Sequence, residues 1–278
     1  FGRRAVAMYK KFEKLPSVFA TAKTTKYIGF IKINKQDIVL DQSLTIVTSN
    51  KWSLFSIAQS SIHDKWSRKY GTTHESRARY NNTDCFETFP FLQNLATETR
   101  DELDTIGEAY HDFRQQLMLK IQLGLTKTYN HFHSPNLSIE ICSSEIIGRK
   151  ELEKRFGKET VNFLNYLQKT ENVCSMEEAV NDILQLRQLH KEMDETVLEA
   201  YDWHADSEKW GPAIDLAHDF YEVDYLPEND RVRYTISPEA RKEVLKRLLL
   251  LNHEIHEEEV KQGLHGKKKT AKAAAKKK

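Results

Sequence analysis

The spacing of hydrophobic residues changes along the chain, and this change limits the folds that the chain can adopt. Residues 17–48 contain the short β-branched or aromatic runs SVFATA, KYIGFIKI, DIVL and LTIV, separated by Lys, Asn, Asp and Ser. Runs of this kind predict short antiparallel strands joined by turns. Residues 49–71 and 96–123 instead repeat large apolar residues at three- or four-residue steps, which predicts two amphipathic helices, the first ending at Gly71.

Helical patterns dominate the rest of the chain. We predict helices over residues 144–203, with breaks near Gly157 and residues 172–175, and a polar loop over residues 124–137. VRYTI (232–236) has the composition of a strand, and the Ser237-Pro238 pair that follows is typical of the start of a last helix. A further short amphipathic helix is predicted for residues 4–15.

These patterns predict an α+β fold. A small N-terminal lobe of short antiparallel strands plus helices takes residues 1–95, and a mostly α-helical lobe takes residues 96–265. The low-complexity Lys-rich tail, residues 266–278, is expected to be disordered. With 39% hydrophobic residues, the chain can bury a core in both lobes.

Charge is distributed very unevenly along the chain. Residues 1–80 hold 15 Lys and Arg against 5 Asp and Glu, and the last twelve residues add 7 Lys and no acid. Residues 81–266 hold 20 basic and 36 acidic residues. Such segregation indicates a polyanionic partner for the N-terminal lobe, the alternative being a merely solvated positive surface.

Cysteine usage and hydropathy favour a cytoplasmic protein. Cys85, Cys142 and Cys174 are isolated and form no CxxC pair, which argues against a disulfide framework or a structural zinc site. No apolar run reaches the roughly 18 residues of a membrane helix, and we find no signal peptide. Because the first residue is Phe1 rather than Met, we expect a fragment or a processed product.

The usual signatures of enzymes are missing from the sequence. It contains no GxGxxG, P-loop, GxSxG or HExxH motif, and we assign no catalytic residue. His253 and His256 lie three residues apart in an acidic helical pattern, but such pairs are common on exposed helices, and we predict no metal site.

The stretch SRARYNNTDCFETFPF, residues 76–91, places basic and polar side chains directly before three phenylalanines. Arg can read guanine and Asn can read adenine with two hydrogen bonds each, and Lys neutralises phosphates. The predicted DNA-binding residues are Lys23, Lys26, Lys65, Arg68 and Lys69 for phosphates, and His74, Arg77, Arg79, Tyr80 and Asn81 for bases or sugars. Phe86, Phe89 and Phe91 form the predicted structural anchor. The alternative is that FETFPF is a core strand and the arginines are solvated.

Several strings resemble a known family. IAQSSIHDKWSRKYGTTHESRARYNNTDCFETFPF, GLTKTYNHFHSP (124–135) and LRQLHKEMDETVLEAYDW (186–203) are similar, in this order, to the C-terminal target-recognition and helical region of bacterial N6-adenine DNA methyltransferases. That family includes type II fused restriction–modification enzymes and phage-defence methylases. Two departures are Lys23, where Arg is more usual, and Leu92, where the family has Pro.

The resemblance implies a recognition function without catalysis. In the family, a separate domain binds S-adenosylmethionine and carries an N-P-P-Y/F motif that holds the target adenine, and this sequence contains no such motif. We therefore expect a sequence-specific duplex-DNA recognition module whose partners are double-stranded DNA and the missing methyltransferase domain. The chain itself is expected to bind no cofactor.

Two further hypotheses concern other partners. The acidic helical region could make the chain a protein-interaction module that docks a nuclease or another defence subunit. A DNA mimic is a less suitable version of this hypothesis, because the N-terminal 80 residues carry a net charge of +10. The Lys tail will attract any nucleic acid without sequence preference, or serve only as a solubilising end.

Overall fold

The N-terminal strands form two small antiparallel sheets. A computed structural model of the chain describes residues 10, 12–34, 40–75, 77–143, 149–171 and 173–264. In the first sheet, β1 (Ser17–Ala22) lies between β3 (Ile31–Asn34) and β4 (Leu44–Val47). In the second, β6 (Arg77–Arg79) lies between β2 (Thr24–Thr25) and β5 (Thr72–His74). The predicted antiparallel strands are therefore confirmed.

Three predictions from this part of the sequence need qualification. Of KYIGFIKI, only the second half becomes a strand, β3. The DIVL run lies outside the described residues except for Leu40, and most of the predicted helix over residues 4–15 does as well.

Two helices replace the single one that the sequence predicted between the strands. They are α1 (Trp52–Gln59) and α2 (Ser61–Tyr70), and the chain is extended at Ser60 between them. The Ser60 hydroxyl accepts a hydrogen bond from the amide of His63 at 3.3 Å, so Ser60 caps the start of α2. Gly71 ends α2 as predicted.

The remaining elements are mostly helical, which confirms the predicted fold class. They are a π-helical turn (Asn82–Glu87), α3 (Thr97–Lys120), α4 (Leu125–Phe132), α5 (Glu140–Ser143), α6 (Arg149–Phe156), α7 (Lys158–Lys169), α8 (Met176–Ala200), β7 (Asp219–Glu222), a 3-10 turn (Glu228–Asp230), β8 (Val232–Thr235) and α9 (Pro238–Lys261). β7 and β8 pair antiparallel as a hairpin. The predicted breaks near Gly157 and before α8, and the start of α9 at Ser237, are confirmed.

The predicted polar loop over residues 124–137 is wrong, because half of it is helix α4. Tyr129 and Phe132 are buried in the core, and Leu125 lies one turn earlier on the same side. Burying such side chains stabilises the helix by roughly 1.5–3 kcal/mol each, which outweighs the polar residues between them.

Two hydrophobic clusters join the N-terminal part to the helical part. Phe19 and Phe55 pack in one cluster with Tyr110 and Leu117 of α3. Trp66 and Phe89 pack in the other with Val197, Trp203 and Val244. Residues on both sides of the predicted boundary at residue 95 therefore share their cores.

A buried carboxylate connects α8 to the start of α2. Asp194 accepts hydrogen bonds from the amide of Ser61 at 2.7 Å and pairs with His218 Nε2 at 2.8 Å. Burial tends to raise the pKa of Asp194, but the neighbouring His190 and the bonds from His218 and Ser61 lower it overall. This polar junction fixes the N-terminus of α2, which leads into the second sheet.

Within the described part of the chain, no helix is both long and apolar enough to cross a membrane.

Candidate nucleic-acid interface

The central strand of the second sheet presents its arginines to solvent. Arg77 and Arg79 of β6 are exposed, whereas Ala78 between them is buried. This alternation follows from the two-residue repeat of a strand, in which successive side chains point to opposite faces. β6 therefore has one basic, exposed face and one face in the core.

The neighbouring strands complete this exposed face. Arg79 lies opposite Thr24 of β2 and Thr72 of β5, and both threonines are exposed. Arg77 lies opposite His74, of which only the backbone is described. Two guanidinium groups flanked by hydroxyls offer several hydrogen-bond donors, which suits contact with phosphates and with guanine edges. We call this face, defined by Thr24, Thr72, Arg77 and Arg79, the arginine face.

Tyr80 supports the arginine face from the core side. Its side chain is only 1% exposed, and its hydroxyl lies 2.8 Å from Nε2 of His63. Its amide donates to the carbonyl of Lys23 at 2.7 Å, and its ring packs edge-on against Phe30. We predicted that Tyr80 contacts DNA, but this buried position is incompatible with such a contact. Sequence alone does not show on which side of the strand end the ring lies.

Burial controls the protonation of both partners in this contact. It lowers the pKa of His63 to about 3 and raises the pKa of Tyr80. His63 is therefore neutral near pH 7, and the pair forms an uncharged hydrogen bond inside the core. We therefore assign a structural role to Tyr80 and His63.

Asn81 caps the turn that follows β6. Its side-chain oxygen accepts a hydrogen bond from the amide of Asp84 at 2.7 Å, and its side-chain nitrogen donates to the Asp84 carboxylate at 2.9 Å. The predicted reading of adenine by Asn81 needs both of these atoms, so it conflicts with the cap. Asn is a preferred capping residue because its short side chain reaches the free amides of the first turn.

Phe86, Phe89 and Phe91 pack together and form no strand. We call them the phenylalanine cluster. Phe91 lies 4.6 Å from Phe86 and 4.7 Å from Phe89, measured between ring centroids. Phe89 also packs edge-on against His63 and Trp66 of α2. The cluster thus connects the segment after β6 to the same helix that holds Tyr80.

Gly71 allows this close packing at the end of α2. A Cβ atom there would collide with the carbonyl oxygen of Ser67 and lie 2.8 Å from the Cys85 sulfur. The helix end and the π-helical turn can approach each other only because residue 71 has no side chain.

The five predicted phosphate contacts separate into exposed and internal side chains. Lys23 and Lys69 are exposed, with Lys23 donating to the carbonyl of Gln42. Lys65 is half-buried, and its pKa is lowered mainly by that burial, against the opposing charge of Asp224. Contact of these three lysines with DNA stays a prediction.

Arg68 lies inside the molecule, which conflicts with its predicted phosphate contact. Its side chain is 7% exposed, donates to the carbonyl of Lys26 at 2.9 Å and pairs with Asp64 at 3.3 Å. The guanidinium also lies over the ring of Tyr225, 4.8 Å from its centroid. Arg68 therefore joins α2, the segment after β2 and the β7–β8 hairpin.

Lys26 is engaged by residues from distant parts of the chain. Its ammonium lies 2.8 Å from Asp230 and donates to Asn130 at 3.1 Å. Arg233 pairs with the same Asp230 at 3.1 Å. The sequence analysis missed Asp230 and Arg233, because they lie about 200 residues from Lys26 and no local pattern connects them.

No candidate metal site is found among the described residues. They contain no group of three His, Cys, Asp or Glu side chains able to hold a metal ion. A small cavity of about 60 Å³ and an open cleft of about 520 Å³ lie beside Tyr27.

Comparison with known proteins finds a family similarity for the part of the chain that contains the arginine face. Residues 6–93 match a family model described as "MmeI, target recognition domain". These residues, which include the arginine face, are therefore similar to the target recognition domain of MmeI. No curated protein matches the sequence.

A solved structure is also similar to this chain. Its description is "Structure of Type IIL restriction-modification enzyme MmeI in complex with DNA has implications for engineering of new specificities". The match has 11% sequence identity and a TM-score of 0.47, and it covers 87% of this chain and 21% of that one. The chain thus spans about a fifth of the length of the solved relative.

Proposed function

We propose that the chain is the sequence-specific duplex-DNA recognition module of a restriction–modification enzyme, with residues 6–93 as its target recognition domain. The observation that carries this proposal is the arginine face, which lies within the matched residues and is held rigidly from the core side. Arg77 and Arg79 make no hydrogen bond or ion pair among the described contacts, so their donors are available to a ligand.

Rigid support matters because discrimination between bases requires fixed donor positions. Side chains that read base edges must be held to within about half an ångström. Tyr80, Ala78 and the phenylalanine cluster restrain the strand and the segment after it from the core side. Lys23 and Lys69 then supply phosphate contacts that set the register on the duplex.

The enzyme that would contain this module is a site-specific adenine-N6 DNA methyltransferase. Support for this proposal is the resemblance of the recognition and helical strings to that family. Methyl transfer, S-adenosylmethionine binding and capture of a flipped adenine are assigned to a separate domain, because the N-P-P-Y/F motif is absent from this sequence. A role in phage defence in the bacterial cytoplasm is part of the same proposal.

The direct test is selection from a randomised duplex library at two salt concentrations. The full chain is used with its seven tail lysines replaced by glutamine, because the tail would bind any duplex. We expect enrichment of one short site and an affinity that falls steeply with salt. Binding without any preferred site would contradict sequence recognition.

The second candidate function is protein docking by the last helix. The exposed side chains of Leu249, Leu250 and Val260 lie on α9, which is rich in acidic residues, and Leu264 follows its end. A chain that functions only in docking should bind duplex weakly and without site preference, and the same selection therefore separates the two functions.

A further inference from the structure

An open cleft of about 520 Å³ lies outside the arginine face, between the N-terminal part and the β7–β8 hairpin. The segment after β2, the end of α4, the start of α7 and the hairpin form its walls. Its lining includes the basic residues Lys26, Lys158, Arg231 and Arg233 and the amides Asn130 and Asn136. Glu159, Glu228 and Asp230 are the acidic residues in the same lining.

Two cations in this cleft converge on a single carboxylate. Lys26 Nζ lies 2.8 Å from one oxygen of Asp230, and Arg233 Nη2 lies 3.1 Å from the other. The Asp230 side chain is 41% exposed, so the carboxylate is held at the surface of the cleft. Proteins hold a phosphate in the same way, with Lys and Arg donating to separate oxygens.

The donors around Asp230 are not fully used by it. The Arg233 guanidinium has five N–H donors, and the described contacts use Nη2 for Asp230 and Nη1 for the carbonyl of Val232 at 2.6 Å. Lys26 has three donors, and the described contacts use them for Asp230 and Asn130. A phosphate offers more acceptor oxygens than a carboxylate, so the same two cations suit a phosphate as well.

The electrostatics allow such an exchange. Burial tends to raise the pKa of Asp230, but the hydrogen bond from Lys26 and the charges of Arg233 and Lys26 lower it overall. The carboxylate is thus ionised near pH 7, and one anion can replace another without leaving the two cations unpaired.

The position of Lys26 connects the cleft to the arginine face. Lys26 directly follows β2, whose Thr24 and Thr25 pair with Arg79 and Ala78 of β6. The ion pair thus lies at the end of the strand next to the two arginines. A duplex on the arginine face would have its backbone close to this end.

We propose that Asp230 occupies the place of a DNA phosphate, and that a backbone phosphate next to the recognised bases displaces it from Lys26 and Arg233. This inference rests on the proposed function. Asp230 then competes with DNA phosphates for Lys26 and Arg233. A duplex bound out of register places no phosphate at these two cations and therefore binds more weakly.

The test compares Asp230→Asn with a matched control, Glu228→Gln, in the full chain with the tail lysines replaced. Glu228 lines the same cleft and is exposed, but no ion pair to Lys26 or Arg233 is found for it. Both variants remove one negative charge. We expect Asp230→Asn to tighten duplex binding about fivefold at low salt, and Glu228→Gln about twofold or less.

A third variant links the gain to the ion pair. Adding Lys26→Gln to Asp230→Asn should remove at least half of the gain, because Lys26 is one of the two cations that Asp230→Asn releases. Equal gains for Asp230→Asn and Glu228→Gln would mean a net-charge effect only and would overturn the proposal. Weaker binding by Asp230→Asn, with an unchanged urea denaturation curve, would also overturn it.

Three further outcomes show whether the DNA assignment, the proposed function or only the displacement of Asp230 is wrong. If Asp230→Asn binds inorganic phosphate more tightly, by isothermal titration calorimetry, but duplex no better, the cleft is a site for free anions and the DNA assignment is wrong. If no variant binds duplex, including the unchanged chain, the proposed function fails and the inference fails with it. Duplex binding without the gain contradicts only the displacement of Asp230.

Discussion

The hydroxyl of Tyr80 lies 2.8 Å from Nε2 of His63, directly behind the strand that presents Arg77 and Arg79. This contact ties the exposed strand to α2, and His63 itself also packs edge-on against Phe89 of the phenylalanine cluster. Arg77 and Arg79, which offer hydrogen-bond donors to a ligand, are exposed, while Tyr80, the next residue in sequence, is buried in the core.

Replacing Tyr80 with Phe removes this hydrogen bond while keeping the ring. The free energy of unfolding should fall by about 1–2 kcal/mol, because His63 loses a buried partner. Urea denaturation measures the change. Tyr221→Phe removes a hydroxyl that donates to Ala217 at a solvent-exposed site and serves as the control, with a change below about 0.5 kcal/mol. Equal costs for the two variants would contradict the assigned role of Tyr80.

Arg68 and Lys69 are adjacent in sequence but have different environments. Arg68→Ala should destabilise the fold by about 2–3 kcal/mol, since it removes two hydrogen bonds and the packing on Tyr225. Lys69→Ala should leave stability unchanged and weaken duplex binding at low salt by about two- to threefold. Thermal unfolding and binding titrations check both expectations. A stable Arg68→Ala protein would show that this guanidinium is not a structural residue.

Gly71→Ala tests the close approach between α2 and the π-helical turn. The added methyl group must displace the Ser67 carbonyl or Cys85, so we expect a loss of about 1–3 kcal/mol in unfolding free energy. Gly124→Ala is the matched control, because nothing lies within 4 Å of the new atom there. Equal stabilities of the two variants would contradict the packing described for Gly71.

The buried histidines predict how stability depends on pH. Burial lowers the pKa of His63 to about 3 and that of His131 to about 4, below the value of about 6.5 expected in the unfolded chain. The unfolded state therefore binds more protons, so stability is fully present above about pH 6.5 and is lost as pH falls toward 4.

His131→Gln isolates one of these groups. It should make the loss of stability between pH 6 and pH 4.5 shallower, by up to about 1.4 kcal/mol per pH unit. Urea denaturation at a series of pH values gives the slope. His253→Gln, at an exposed position on α9, is the control for the change of residue type. An unchanged slope for His131→Gln would contradict a neutral, buried His131.

The sequence predicted the fold class well because most elements carry a clear period. α3, α8 and α9 have long apolar repeats with defined ends, and Ser175 and Ser237 cap two of them as their types suggest. α4 was missed although Leu125, Tyr129 and Phe132 have helical spacing, because the intervening polar residues resemble a loop. The break at Ser60 depends on a capping bond and on Asp194 far away in the sequence.

The candidate site was predicted by residue type but not by orientation. Arg77 and Arg79 are exposed, whereas Tyr80, two residues from Ala78, turns into the core with it. Asn81 can cap a turn as well as contact a base, and sequence does not decide between these uses. Lys26 meets Asp230 only because the chain folds back over it, which no local pattern reveals.

The most direct measurement of the central claim is library selection with Arg79→Ala beside the unchanged chain, both with the tail lysines replaced. We predict that the variant binds its site about 5- to 150-fold more weakly and loses preference at one base pair, since a lost bidentate contact costs about 1–3 kcal/mol. Arg100→Ala, an exposed arginine on α3, is the control and should keep both affinity and site. An Arg79→Ala protein with unchanged affinity and an unchanged preferred site would show that the arginine face does not read DNA.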